Sequence, residues 1–190
     1  MQRRTIRGRY YLDRVLGKGG FGHVYLAFDQ QEQRWCAIKE IRIESSDDRD
    51  FVMNEVVTLG NCDHFEFIPT IYDAFFEGGS YPEMGYVVME YIEGTSLNQI
   101  GDWTAPQVAH FLDQMLSNLA QLHAHGFVHR DIKPENILWT HQSRYALVDF
   151  GIAKMGTETR SIVRPVLTPQ FAAPEQINGQ GTDQRSDLYS

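Results

Sequence analysis

Apolar and polar positions alternate along the first forty residues. "YYLDRVLG" (10–17) and "HVYLAFD" (23–29) are rich in β-branched and aromatic residues, with "KGGFG" (18–22) between them. A polar "QQEQR" (30–34) precedes "WCAIKEIRI" (35–43), which alternates again. Period-two alternation marks half-buried strands, so three antiparallel strands in a meander are expected. The period then changes. In "SSDDRDFVMNEVVTLG" (45–60), Phe51, Val52, Glu55, Val56 and Leu59 fall at helical spacing. Asp47, Asp48 and Asp50 suit the positive end of a helix dipole, and Gly60 suits its stop. "FIPTIYDAFFEGG" (67–79) and "YVVMEYIEG" (86–94) read as two more strands joined by a Gly-rich loop. The first part of the chain is thus expected to be a five-stranded antiparallel sheet with one helix.

From Thr104 the pattern is helical for about six turns. Val108, Phe111, Leu112, Met115, Leu116, Leu119 and Leu122 form one stripe, Thr104 with Gln107 resembles a capping box, and Pro106 suits a first turn. Loops and short strands follow from Gly126. The change of pattern between Gly94 and Trp103 places a lobe boundary there and predicts an α+β architecture: a basic arm over 1–9, one lobe over 10–94, a second over 95–190.

Charge narrows the function. A formal net charge of −8 argues against a nucleic-acid partner. The first fourteen residues depart from this with five arginines and read as a solvated arm. No stretch has the apolar length of a membrane span. Cys36 and Cys62 are too few for a disulfide framework and read as free thiols of a reducing, cytoplasmic compartment.

Gly17, Gly19 and Gly22 are spaced G-x-G-x-x-G, which lets backbone N–H groups approach phosphate oxygens. A dinucleotide site has the same spacing but needs a helix directly after it; "HVYLAFD" is a strand. The glycines are therefore expected to cap a hairpin that lies over phosphates. With a second hairpin turning near Gln31, Val24 would oppose Ala37 and Gly22 would oppose Lys39. Alternation would then aim Ala37 and Lys39 at the face under the glycines. Glu55 is the candidate partner for the inward ammonium. In "FVHRDIKPENIL" (127–138), Asp131, Lys133 and Asn136 lie on a loop interrupted by Pro134. If "LWT" and "YALV" pair with Thr140 opposite Tyr145, Asn136 faces Asp149. One amide oxygen and one carboxylate there would suit Mg²⁺. His123 and His125, two residues apart without a cysteine, read as structural rather than metal-binding.

"GKGGFGHV", "AIK", "HRDIKPEN", "DFG" and "APE" occur in an order and spacing that resemble a eukaryotic-type serine/threonine protein kinase from about Tyr10 to Ser190. The resemblance implies the two-lobe kinase fold and transfer of the γ-phosphate of ATP, with Mg²⁺, to serine or threonine hydroxyls of protein substrates. It implies that Asp131 accepts or orients the hydroxyl proton and that Lys133 steadies the γ-phosphate. Asn136 and Asp149 would hold Mg²⁺, and Lys39 would grip the α/β-phosphates and pair with Glu55. Leu16, Gly17, Lys18, Gly19, Gly20, Phe21, Gly22 and His23 form the glycine-rich loop. Val24, Ala37 and Leu138 would enclose the adenine, Met89 would stand behind it, and Glu90, Tyr91 and Ile92 would meet its edge. Arg130 would bind a phosphorylated activation loop, with Thr157, Thr159 and Ser161 as candidate sites and Thr168 near the substrate. Asp187 matches the residue that bonds the "HRD" backbone. "SDLYS" (186–190) resembles the start of the central helix of the second lobe. The lobe is thus expected to be mainly helical but incomplete, with Glu175 lacking its usual arginine and the long helix exposing part of its stripe. The alternative to an active kinase is a truncated, inactive nucleotide-binding remnant.

Overall fold

Alternating side chains draw the first half of the chain into one antiparallel sheet. The computed structural model describes residues 4–19, 22–62, 64–149 and 170–190, and their side chains except those of Glu55 and Thr58. It divides into two units, 1–64 with 69–91 and 65–68 with 92–190.

The first unit contains β1 (Thr5–Ile6), β2 (Tyr10–Gly19), β3 (Gly22–Asp29), β4 (Arg34–Ile43), α1 (Ser46–Gly60), β5 (Ile71–Glu77) and β6 (Glu83–Glu90). The strand order is β1-β2-β3-β4-β6-β5. Alternation splits β4 between two cores. Cys36 and Ile38 pack with Tyr10, Leu12, Ala27, Phe75, Tyr86 and Val88 on one face. Ile41 and Ile43 pack with Val87 and with Val52 of α1 on the other, where Val56 joins them. The helix is therefore held by the apolar spacing read from its sequence, and by an N-terminal bond from Asp48 N–H to Ser45 Oγ at 3.3 Å.

Six strands replace the expected five. Arg7 and Gly8 take left-handed conformations (φ 51° and 62°), which fold Thr5 and Ile6 back onto Tyr11 and Tyr10. Ile6 is buried. The expected solvated arm is corrected with it, because Arg4, Arg7 and Arg9 have partners. Arg4 bonds Glu40 and also Tyr86 Oη at 3.0 Å. Arg7 lies over the Phe75 ring at 3.8 Å. Arg9 donates twice to the fully buried Asp29, at 2.8 and 2.7 Å. That carboxylate also accepts from the N–H groups of Gln31 and Glu32 at 3.0 and 3.3 Å, which shapes the β3–β4 turn.

The second unit contains β7 (Gly94–Ser96), α2 (Ala105–Ala124), β8 (Ile137–Thr140), β9 (Tyr145–Leu147), α3 (Pro174–Ile177) and α4 (Gln184–Tyr189). β7-β8-β9 form a small antiparallel sheet. Thr104 N–H and Oγ1 both donate to Gln107 Oε1 at 2.8 Å, so the predicted capping pair starts α2. Met115, Leu119 and Leu122 bury the inner part of its stripe; Val108, Leu112 and Leu116 are exposed. Gln114 and Asn118 tie α2 to the backbone of Tyr145 on β9 at 3.1 and 3.2 Å.

Arg9→Met would leave the Asp29 carboxylate buried without its cation. The expected loss is about 2–3 kcal/mol at neutral pH, at the low end for buried pairs because Arg9 is partly exposed. Arg9 holds the Asp29 carboxyl below its ordinary range. The stabilisation is therefore complete above about pH 4 and is lost as pH falls through the lowered value. Urea unfolding at pH 7 and pH 3 checks this; equal stability of wild type and variant at pH 7 contradicts it.

Candidate active site

The β8–β9 hairpin sets the geometry of the second unit. Thr140 N–H donates to Arg144 O at 2.9 Å and Ser143 N–H to Thr140 O at 3.0 Å. Ser143 is left-handed (φ 57°). This is a three-residue loop, a turn followed by a left-handed residue. It moves the register by one from the expected pairing: Trp139 opposes Tyr145, and Ile137 opposes Leu147. Asn136 therefore faces Val148, whose N–H donates to Asn136 O at 2.9 Å, and not Asp149. Asp149 is itself left-handed (φ 53°), and Asn136 Nδ2 still lies 3.5 Å from its carbonyl. The two residues meet, by a different route from the one the pairing predicted.

Asn136 closes a short turn, Pro134–Asn136, where its N–H bonds Lys133 O at 2.9 Å. Ser96 Oγ donates to Pro134 O at 2.9 Å and anchors that turn to β7. The buried amide of Asn136 donates to Asp131 Oδ2 at 2.8 Å and to Asp131 O at 2.9 Å. Lys133 Nζ reaches the same Oδ2 at 2.7 Å. Two donors thus fix one oxygen of Asp131, while the side chain keeps access to solvent.

The backbone under Asp131 is held from α4. Asp187, almost fully buried, accepts from the N–H groups of His129 at 2.8 Å and Arg130 at 2.7 Å, and contacts His123 Nε2 at 2.8 Å. Arg130 is left-handed (φ 68°), and Asp131 N–H points at His129 Nδ1 at 3.3 Å. Burial pushes the His129 imidazole below its ordinary pKa although Asp187 and Asp131 oppose this. His123 is structural here, and His125 Nδ1 contacts Gln121 O at 2.9 Å.

Three hydrogen bonds were not foreseen. Glu175 accepts from Ser186 Oγ at 2.6 Å. The buried Gln176 accepts from Ala173 N–H at 2.9 Å and donates to Arg130 O at 2.8 Å. A glutamine at the third position of the turn that Pro174 opens was the available signal for the Ala173 bond; nothing local signals the bond to Arg130.

In the first unit, Gly17 opposes Val24, Lys18 opposes His23 and Gly19 opposes Gly22, with Leu16 exposed at a bulge. Gly22 has φ 142°, and a Cβ there would lie 1.7 Å from Glu40 O, so this close approach requires glycine. Across β3 and β4 the expected pairs are corrected by two residues. Lys39 opposes Val24, Ala37 opposes Leu26, and Gly22 opposes Ile41. The turn spans residues 30–33 around the Asp29 carboxylate, with Gln33 left-handed (φ 52°), so its centre lies one residue later than assumed. A shift of two preserves the face. Ala37 and Lys39 are buried and share the side of Ile41 and Ile43 against which α1 packs. Met89 and Glu90 end β6, and Glu90 N–H is committed to Thr70 O at 2.8 Å. Tyr91, Ile92 and Leu138 are half-buried, each within its own unit. Gly20, Phe21, the Glu55 side chain, Thr157, Thr159, Ser161 and Thr168 lie outside the described residues.

The donor set of the second unit suits a hard cation. Asn136 has its NH₂ turned to Asp131 and the Asp149 carbonyl, so its amide oxygen faces away from those two acceptors. Among the described residues no group of three His, Cys, Asp or Glu could hold a metal. One carboxylate and one amide oxygen fit Mg²⁺, which takes its other ligands from water and phosphates.

Residues 10–190 match a family model described as protein kinase domain. The chain is 34% identical over 98% of its length to the serine/threonine-protein kinase PrkC of Bacillus subtilis, covering 30% of that protein. It is 35% identical over 98% of its length to a probable serine/threonine-protein kinase, SCO3848, of Streptomyces coelicolor, covering 29% of it. It is 32% identical over 98% of its length to MAP3K epsilon protein kinase 1 of Arabidopsis thaliana, covering 14% of it. The chain thus spans less than a third of these relatives.

Asp187→Ala would leave two backbone N–H groups, of the buried His129 and the half-buried Arg130, without their acceptor. The expected loss is about 2–4 kcal/mol. Denaturant unfolding measures it, and a change below about 0.5 kcal/mol, the range of ordinary surface substitutions, contradicts the clamp.

Proposed function

Because the chain belongs to the protein kinase domain family, we propose that it transfers the γ-phosphate of ATP to serine or threonine hydroxyls of protein substrates. The observation that carries this reading is Asp131, with Oδ2 held by Lys133 and Asn136. Oδ1 is then the oxygen that meets the substrate hydroxyl and takes its proton as the phosphoryl group moves. Lys133, beside it, balances charge on the γ-phosphate. Lys39 meets the α/β-phosphates and Glu55 is its partner on α1. Gly17 to Gly22 bring N–H groups to the phosphates, and Val24, Ala37, Met89 and Leu138 bound the adenine. Of the segment 90–92, Glu90 contributes its carbonyl, since its N–H already has a partner. Asn136 and Asp149 hold Mg²⁺, which when bound neutralises phosphate charge.

The lobe division at 94/95 belongs to the same proposal, and the boundary between the two units, at 91/92, falls close to it. So does a reducing cytoplasmic setting, which the two buried cysteines, Cys36 and Cys62, support. Among the described residues no helix is long and apolar enough to cross a membrane.

Mg·ATP is expected to raise the unfolding temperature of wild type and of Asp131→Asn alike. Phosphate transfer to casein, a serine-containing acceptor, should fall at least about a hundredfold in Asp131→Asn. Absence of both the thermal shift and the transfer in the wild-type chain contradicts the reading.

A further inference from the structure

Asp131 can serve only where the peptide that carries it is fixed, and that peptide is gripped on both edges. Its N–H, from Asp131, points at His129 Nδ1 at 3.3 Å. Its carbonyl, from Arg130, accepts from Gln176 Nε2 at 2.8 Å. A peptide unit is planar, so holding both edges fixes the direction in which the next Cα leaves. The preceding residue adds to the need. Arg130 is left-handed (φ 68°), a conformation that a non-glycine residue keeps only where its surroundings impose it. Asp187 holds the N–H side of Arg130 at 2.7 Å, and Gln176 holds its C=O side.

Gln176 is suited to this by chemistry as well as place. It is 6% exposed, and it lines a small cavity together with Arg130, Asp131 and Ile132. Its orientation is determined by its partners. Oε1 accepts from Ala173 N–H at 2.9 Å, which turns Nε2 toward the Arg130 carbonyl. A glutamate there could keep the first bond and would set a carboxylate against a carbonyl in place of the second. A methionine of similar shape would supply neither.

We infer that Gln176 is a positioning residue for phosphoryl transfer: it links the α3 turn to the Arg130 carbonyl and so sets the placement of Asp131. The inference rests on the kinase reading of Asp131. Gln176→Glu and Gln176→Met in the full chain test it by two readouts. The first is amide hydrogen exchange, which does not require turnover. Exchange should rise in the segment 128–132 and stay at the wild-type level in α2 and in the 137–147 hairpin. The second is phosphate transfer to casein. kcat should fall about tenfold to a hundredfold while KM for ATP stays within about twofold.

If the wild-type chain transfers no phosphate, the kinase reading is what fails, and the exchange pattern alone decides whether Gln176 holds the loop. Unchanged exchange at 128–132 overturns the inference. So does exchange that rises equally throughout the second unit in both variants, which would mark a merely structural residue. Wild-type kcat in both variants, with an active wild type, overturns it as well.

Discussion

A single buried carboxylate organises the second unit. Asp187 comes from α4, near the end of the chain, and accepts from two successive backbone N–H groups at His129 and Arg130. A carboxylate so deeply buried persists because its lone pairs are occupied; His123 adds a third contact. From that clamp, short-range contacts carry the geometry along the chain to the reactive groups. Arg130 is left-handed, Asp131 turns back to His129, and Lys133 and Asn136 close on Asp131 Oδ2. Removing the clamp would therefore unsettle the backbone that carries Asp131, Lys133 and Asn136.

The first unit is organised by a different constraint, the close approach of β3 to β4 at Gly22. Gly22 lies so near the Glu40 carbonyl that a side chain could not be accommodated. Glu40 in turn is tied to Arg4 of the N-terminal segment, and Lys39 precedes it on the opposite face of β4. The small strand β1 is thus linked through one ion pair to the strand that presents Lys39. Arg9 and Asp29 do the same for the turn that sets the β3–β4 register.

Much of this was legible because alternation and motif spacing are local. Both the face of Lys39 and the apolar face of α1 follow from periodicity alone. Turn geometry was less legible, and its two errors had unequal effects. The β3–β4 turn shifted the register by two residues, which leaves every side chain on its expected face. The β8–β9 turn shifted it by one, which put Val148 where Asp149 was expected; the meeting of Asn136 and Asp149 survives through the left-handed backbone of Asp149. The strand at Thr5–Ile6 was hidden among arginines whose partners, Glu40, Phe75 and Asp29, are distant in sequence. The bond from Gln176 to Arg130 was hidden for the same reason, its partners lying 46 positions apart.

The most direct test of the central claim is a crystal structure of the chain with Mg²⁺ and a non-hydrolysable ATP analogue. The kinase reading predicts that Asn136 and Asp149 would hold the metal and that the ion would neutralise the charge of the nucleotide's phosphates. It also predicts Lys39 Nζ on the α- or β-phosphate. Nucleotide bound with its phosphates away from Lys39, or a metal that touches neither Asn136 nor Asp149, would contradict it.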